Sequence, residues 1–156
     1  MVDTLHIFPE LDIVIRKGTS EDIQSIFSLI TEFSIFQKTP KKVTITPEQM
    51  LAEKDFFEFF VAENNKNEIV GFASFFFAYY SWSGKALYLD DLYVKENYRN
   101  HNIGTKLIDT IISHAKQERC KKVRWQVSNW NTNAINFYKK MGAEIDEVEI
   151  NCDLNL

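Results

Sequence analysis

Between Leu87 and Gly104 the chain reads Leu-Tyr-Leu-Asp-Asp-Leu-Tyr-Val-Lys-Glu-Asn-Tyr-Arg-Asn-His-Asn-Ile-Gly. A β-type run passes through a basic, Asn-rich turn straight into an amphipathic helix, and that is how a chain builds an anion seat. The first turn of a helix leaves backbone N–H groups without partners, and the macrodipole adds about half a positive charge, so a phosphate binds there with little side-chain help. Arg99 stands just ahead of the helix, and Asn100, His101, Asn102, Ile103, Gly104 and Thr105 follow it through the turn. Two adjacent carboxylates, Asp90 and Asp91, precede the turn and are suited to hold a cation or accept its proton. Successive strand residues point to opposite faces, so at most one of them faces a site unless a bulge intervenes.

A second constellation runs Trp130-Asn-Thr-Asn-Ala-Ile-Asn-Phe-Tyr-Lys-Lys-Met-Gly142. Asn131 caps a helix start, and helical spacing sets Ala134, Ile135 and Tyr138 on neighbouring faces. A phenol with a pKa near 10 stays protonated at neutral pH and can give its proton to a leaving group. Each stretch has a plainer reading as well. Asn100 to Asn102 is a polar loop and helix cap, Asp90 and Asp91 are a solvated pair at a strand end, and Tyr138 is a core tyrosine with its hydroxyl at the surface.

The elements that must position these residues follow from the period of the apolar positions. Ile13 and Ile15 alternate in a short strand; Thr19-Ser-Glu-Asp22 fits a capping box ahead of a helix carrying Ile23, Ile26, Phe27, Ile30 and Phe33. Thr46-Pro47-Glu48 starts a short second helix with Pro at a tolerated position. Phe59 to Glu63 and Glu68 to Tyr80 read as a hairpin around Asn64 to Asn67, and Lys85 to Val94 as the next strand. Ile103, Leu107, Ile108, Ile111, Ile112 and Ala115 form one apolar helix face, with His114 on the polar side. Val123, Trp125 and Val127 alternate in a strand, a helix runs from about Thr132 to Met141 and stops at Gly142, and Val148, Ile150, Cys152 and Leu154 alternate in a last strand. This order predicts an α/β fold with a mixed sheet and a crossover helix between the strands ending at Val94 and Val127, with ligand beyond the carboxyl end of the first of them.

Composition narrows the function classes. A chain of 156 residues, 45% apolar and 14% aromatic with thirteen Phe, is about one globular domain with a large core or a dimer contact. Its net charge of −4 gives no footprint for nucleic acid. Cys120 and Cys152 stand apart without ligand-like neighbours and read as free thiols of a reducing cytosol. The first ten residues lack the basic and apolar regions of a signal peptide, and the run Phe72 to Tyr80 is far short of a membrane span, so the expectation is a cytoplasmic protein without membrane contact. His6, His101 and His114 offer no catalytic pairing, and no cluster resembles a metal site.

The stretch ending at Gly104, taken with Asn131-Thr-Asn-Ala-Ile-Asn-Phe-Tyr138, resembles the GNAT acetyltransferases, in particular the spermidine/spermine and thialysine acetyltransferase branch, over about Ile13 to Leu154. The resemblance implies one GNAT domain over residues 1–156, with residues 1–11 as an N-terminal extension. Its sheet is mostly antiparallel, with central parallel strands that splay apart, flanked by helices. It implies acetyl-CoA as co-substrate, no metal, and a homodimer. Leu92, Tyr93 and Val94 would pair with the pantetheine arm, the turn from Arg99 to Thr105 would take the pyrophosphate, and Asn131, Ala134 and Lys140 would complete the cofactor contacts. Tyr138 would protonate the leaving thiolate, a backbone N–H at a bulge near Leu92 would polarise the carbonyl, and Asp90 would relay the amine's proton through water. Asp90, Asp91, Trp82 and Gln37 would bind the acceptor, and transfer would be direct, within a ternary complex.

Two departures from the family pattern bear on function. The pyrophosphate turn usually carries a Gly where this chain has Asn102, the next best residue at positive φ. Polyamine acetyltransferases carry extra acids where this chain reads Phe36-Gln-Lys-Thr-Pro-Lys-Lys42, and an Asp where it has Tyr80. Lys38, Lys41 and Lys42 would repel a polycation and suit an amine that also bears a carboxylate, although a lysine-rich loop is also simply a solvated loop. Trp82 would wall the acceptor site or belong to the core. The expected function is acetyl transfer from acetyl-CoA to the primary amine of a small molecule, polyamine-like or lysine-like. A CoA-binding module with little catalysis, or an acetyltransferase for protein lysines or N-termini, stands as the alternative.

Overall fold

Arg16 and Asp22 join the first two elements of the chain. Strand β1 (Ile13–Lys17) presents Arg16, whose two terminal nitrogens each donate to the Asp22 carboxylate at 2.8 Å, while its Nε donates to Glu63. Asp22 in turn accepts from the Thr19 N–H at 2.8 Å, closing the capping box ahead of α1 (Ile23–Phe36). Bonding to Arg16 holds the Asp22 carboxyl below its ordinary range. Helix α2 (Pro47–Ala52) starts as its sequence implies, with the Thr46 hydroxyl accepting from Gln49 N–H at 3.2 Å. The computed structural model describes residues 12–156; His6 and the extension over residues 1–11 lie outside the described residues.

The sheet has five strands in chain order. β2 (Glu58–Asn64) and β3 (Ile69–Tyr80) form the expected hairpin, where the Asn64 side-chain oxygen accepts from Lys66 and Glu68 N–H at 2.9 and 3.0 Å. β4 (Gly84–Val94) returns antiparallel to β3. Helix α3 (Ile103–Gln117) then crosses over to β5 (Val123–Arg124), which lies parallel to β4. One face of the sheet carries Phe59, Val61, Phe72 and Tyr93 against Ile23, Ile26 and Leu29 of α1. The other carries Phe75 and Phe60 toward α3, whose Leu107, Ile108 and Ile111 are fully buried. Removing a ring such as Phe72 from this core would cost about 3–5 kcal/mol.

Residues through Trp125 form one compact unit, and Gln126–Leu156 form a smaller one. In the smaller unit α4 (Thr132–Lys140) begins where the Asn131 side chain accepts from Ala134 N–H at 3.2 Å. It ends at Gly142, which takes a left-handed φ of 90° and donates to Lys139 O at 3.0 Å.

Three expectations are corrected. β5 pairs only at Val123 and Arg124 and does not run on to Val127, because β4 bulges just past the paired segment and a bulge bends the strand out of register. The alternation from Val148 to Leu154 forms no strand among the described residues. Val148, Ile150 and Leu154 are 85%, 83% and 87% exposed, so the pattern has no buried face to fix it. His114 lies on the core side of α3, not its polar side: its ring packs edge-on to Phe60 and Phe75 at 5.4 and 5.3 Å, one helical turn beyond buried Ile111.

Candidate active site

The bulge in β4 decides where the two carboxylates go. Ser74 pairs with Asp91 and Phe75 with Leu89, so Asp90 is the extra residue, two positions before Leu92. Counting back from Tyr93, which packs against α1, alternation places Asp91 on the α1 face. Counting forward from buried Leu89, paired with Phe75 on the α3 face, it places Asp90 on the α1 face as well. The inserted residue therefore brings both carboxylates to one side. Burial pushes the Asp91 carboxyl up to about 6, with the charge of Asp90 adding to the rise, and burial also raises Asp90. A carboxylate poised there is a proton acceptor near neutral pH.

Past the bulge the edge of β4 changes character. The ladder to β5 stops at Tyr88 and Arg124, and from Leu89 to Val94 no strand pairs with that edge among the described residues. At the end of β4 the chain turns through Lys95 to Asn102 into α3. Asn100 and Asn102 both adopt left-handed backbone, at φ 65° and 60°, so Asn102 fills the conformation a glycine would take. The first helical bond runs from Lys106 N–H to Asn102 O at 2.9 Å, which leaves the N–H groups of Ile103, Gly104 and Thr105 directed out of the helix end. A Cβ built on Gly104 meets nothing within 4 Å, so this helix end has space for a ligand.

Arg99 turns elsewhere. Its Nε donates to Val94 O at 3.0 Å, and its guanidinium lies over the rings of Phe36 and Tyr93, at 4.7 and 5.4 Å. It thus joins the end of α1 to the end of β4, lining an open cleft of about 630 Å³ with Glu32, Phe36, Tyr93 and Lys95. Leu92 and Val94 face α3, while the Tyr93 side chain faces α1, with its hydroxyl 3.4 Å from Glu32. Lys95 N–H donates to Val70 O of β3 at 2.9 Å, so by alternation the Tyr93 backbone also faces β3, and the backbone groups of Leu92 and Val94 are those turned to the unpaired edge. His101 is exposed in the turn, and Thr105 is half-buried.

The remaining expected residues are dispersed. Gln37 caps the C-terminus of α1, half-buried, and Lys38, Lys41 and Lys42 beyond it are exposed. Trp82 is fully exposed at the turn between β3 and β4, about 20 Å from Asp90 at ~3.3 Å per strand residue, so it belongs to neither the core nor the surroundings of the carboxylates. In the smaller unit Tyr138 lies half-buried on α4, and burial raises its phenol, so it stays protonated at neutral pH. Ala134 is half-buried on the same helix and Lys140 is exposed at its end. Sequence reasoning passed over Phe76, Tyr88 and Arg124, which share the α1 face with Asp90. The signal was present in register: Tyr88 lies two residues before Asp90, and Phe76 pairs with it across the hairpin.

Residues 23–143 match the acetyltransferase (GNAT) family, and the chain belongs to that family. It is 34% identical over 141 residues to a thialysine N-epsilon-acetyltransferase of Mus musculus, covering 83% of each chain. It is 30% identical over 139 residues to a spermidine/spermine N(1)-acetyltransferase-like protein 1 of Homo sapiens, covering 83% of this chain and 20% of that one. Its fold superposes with a TM-score of 0.77 on an aminoglycoside acetyltransferase from an uncultured soil metagenomic sample in complex with sisomicin. That match has 22% identity over 92% of this chain and 97% of the other. The chain is a GNAT N-acetyltransferase, and enzymes of this family use acetyl-CoA as co-substrate. The residues present fit that molecule. A diphosphate suits the open N–H groups at the start of α3, and an amide-bearing arm suits the unpaired edge of β4. Among the described residues no group of His, Cys, Asp and Glu could hold a metal ion, and no helix is long and apolar enough to cross a membrane.

Proposed function

We propose that this chain acetylates the primary amine of a small molecule, with a lysine-like amino acid favoured over a polyamine, by direct transfer in a ternary complex. The observation that carries this reading is the bulge that sets Asp90 and Asp91 on one face beside the unpaired edge of β4. Acetyl-CoA supplies the activated acyl group when bound. The chain's own residues then have three tasks. The backbone of Leu92 to Val94 and the start of α3, from Asn102 to Thr105, orient the cofactor, with Asn100 and His101 shaping the turn and Arg99 fastening it to α1. Asn131, Ala134 and Lys140 complete the contacts. Asp90 and Asp91 hold the substrate ammonium, and Asp90 accepts its proton through water, since an ammonium with a pKa near 10 is no nucleophile. Tyr138 keeps its phenolic proton at neutral pH and would supply it to the departing thiolate. Gln37, at the end of α1, stands where an acid would favour a polyamine, and the exposed lysines after it disfavour a polycation.

We further propose that residues 1–156 act as one domain in a cytoplasmic homodimer, with Trp82 and Tyr79, 101% and 80% exposed, as apolar surface for a second copy. The name of the mouse relative, for thialysine, supports an amino-acid acceptor, and that of the human one, for spermidine and spermine, supports a polyamine.

The test is Tyr138→Phe, read as thiol release from acetyl-CoA in the presence of amine. The variant should keep acetyl-CoA affinity and lose roughly 10²-fold or more in kcat, the scale of a general acid. Unchanged turnover would remove Tyr138 from the reaction. Cofactor binding by the wild type with no turnover on any amine would favour a CoA-binding module instead, a reading that Asn102 in place of glycine motivates.

A further inference from the structure

On the α1 face the sheet extends beyond the helices that cover it. Phe76 and Tyr88 pair across β3 and β4 with rings 5.0 Å apart and nearly parallel, at 20°, and Phe76 is 38% exposed. Asp90 follows Tyr88 by two residues on the same face. At the other side of this aromatic shelf stands a positive pair. Arg124 is in register with Tyr88 across the parallel ladder, and the Arg124 and Lys122 head groups both lie 4.6 Å from the Tyr80 ring. Burial raises the Tyr88 phenol, and it lies within the electrostatic reach of Asp90, Tyr80 and Arg124 together.

Phe76, Tyr88 and Arg124 form one row across β3, β4 and β5, and Asp90 stands two residues along β4 from the middle of that row, so the Tyr88 ring, backed by Phe76, lies at the corner between the carboxylates and the cations. Two residues of strand at ~3.3 Å each and one inter-strand step of about 5 Å separate the Asp90 and Arg124 backbones, so the two head groups are within reach of one small molecule that carries opposite charges at its ends. We infer that this strip reads an ω-amino carboxylate, taking the ammonium at Asp90 and Asp91, the methylene stem on Tyr88, which Phe76 supports, and the carboxylate at Arg124 with Lys122. The inference rests on the acetyl-transfer reading in placing the reacting amine at Asp90, and it assigns selection of the acceptor to β3, β4 and β5 as well as to the lysine-rich loop. Tyr80 is the residue that makes this possible: an Asp there would neutralise the two cations, whereas an aromatic ring supports them and leaves their charge for a ligand.

The experiment compares two acceptors that differ only in the carboxylate, lysine and 1,5-diaminopentane, in thiol release from acetyl-CoA by the wild type, Arg124→Gln and Arg124→Lys. Loss of a charge-assisted contact should raise the lysine KM in Arg124→Gln by roughly tenfold or more relative to that for 1,5-diaminopentane, in KM rather than kcat, and Arg124→Lys should recover part of it. Phe76→Ser should raise KM for both amines. Equal effects of Arg124→Gln on the two amines, or none on either, would overturn the strip. If the wild type released no thiol with either amine, acetyl transfer to these amines would fail, and calorimetry of lysine binding would decide the strip separately. Binding that is weakened in Arg124→Gln upholds the strip, and no binding to the wild type overturns it.

Discussion

Asp91 is the position where the proposed acceptor site bears most directly on folding. Its carboxyl is held up to about 6 because burial, then the charge of Asp90, disfavours the ionised form. A raised acid binds its proton in the folded state at pH values where the unfolded chain has already released it. The stability this group contributes is therefore full below pH 4 and is lost as pH rises through about 6. The difference in urea midpoint between wild type and Asp91→Asn should follow that course. Activity should run the opposite way: kcat/KM falls on the acid side with an apparent pKa near 6, and that limb shifts in Asp91→Asn. A limb that stays in place in the variant would separate Asp91 from the proton acceptance proposed for Asp90. Of these residue-scale features, the acidic pair itself was legible in the sequence. Its common facing was not, because a bulge is set by pairing with Ser74 and Phe75, residues far from Asp90 in the chain. The turn of Arg99 toward Phe36 was hidden for the same reason, since a cation–ring contact between α1 and β4 leaves no local spacing to read.

At the scale of elements, local chemistry was the readable part. The capping box at Thr19 and Asp22, Pro47 opening α2, Asn131 capping α4 and Gly142 closing it all act within four residues, and each stands as its residue types imply. Alternation was reliable only where a partner strand gives it a buried face, as in β3. It misled at Val127 and from Val148 to Leu154, where no strand pairs among the described residues. The start of α3 is the proposed cofactor seat, and Gly104 separates its two readings. An added Cβ there meets nothing within 4 Å, so Gly104→Ala should hold or raise the melting temperature, by the ~0.5–1 kcal/mol that Ala gains over Gly in a helix. If the helix end seats a diphosphate, the same methyl group intrudes on the ligand, and the acetyl-CoA Kd should rise by roughly tenfold through loss of charge-assisted bonds. A stable variant with unchanged Kd would reduce the turn to a helix cap.

For the whole molecule, the net charge of −4 already argued against nucleic acid, and the order of elements already implied a mixed sheet with one parallel crossover. The acceptor was the least legible property, because its recognition is divided among positions remote in sequence. On the proposed reading the loop at Lys38 to Lys42 favours a carboxylate, the pair at Asp90 and Asp91 favours any cation, and the strip ending at Arg124 favours a molecule bearing both charges. Their sum is the central claim, and the direct measurement is thiol release from acetyl-CoA at low salt with thialysine and spermidine at equal concentration. The account predicts faster release with thialysine, and an advantage that shrinks as salt screens the lysines. Preference for spermidine would contradict it, because the acidic pair would then outweigh every positive charge placed around it.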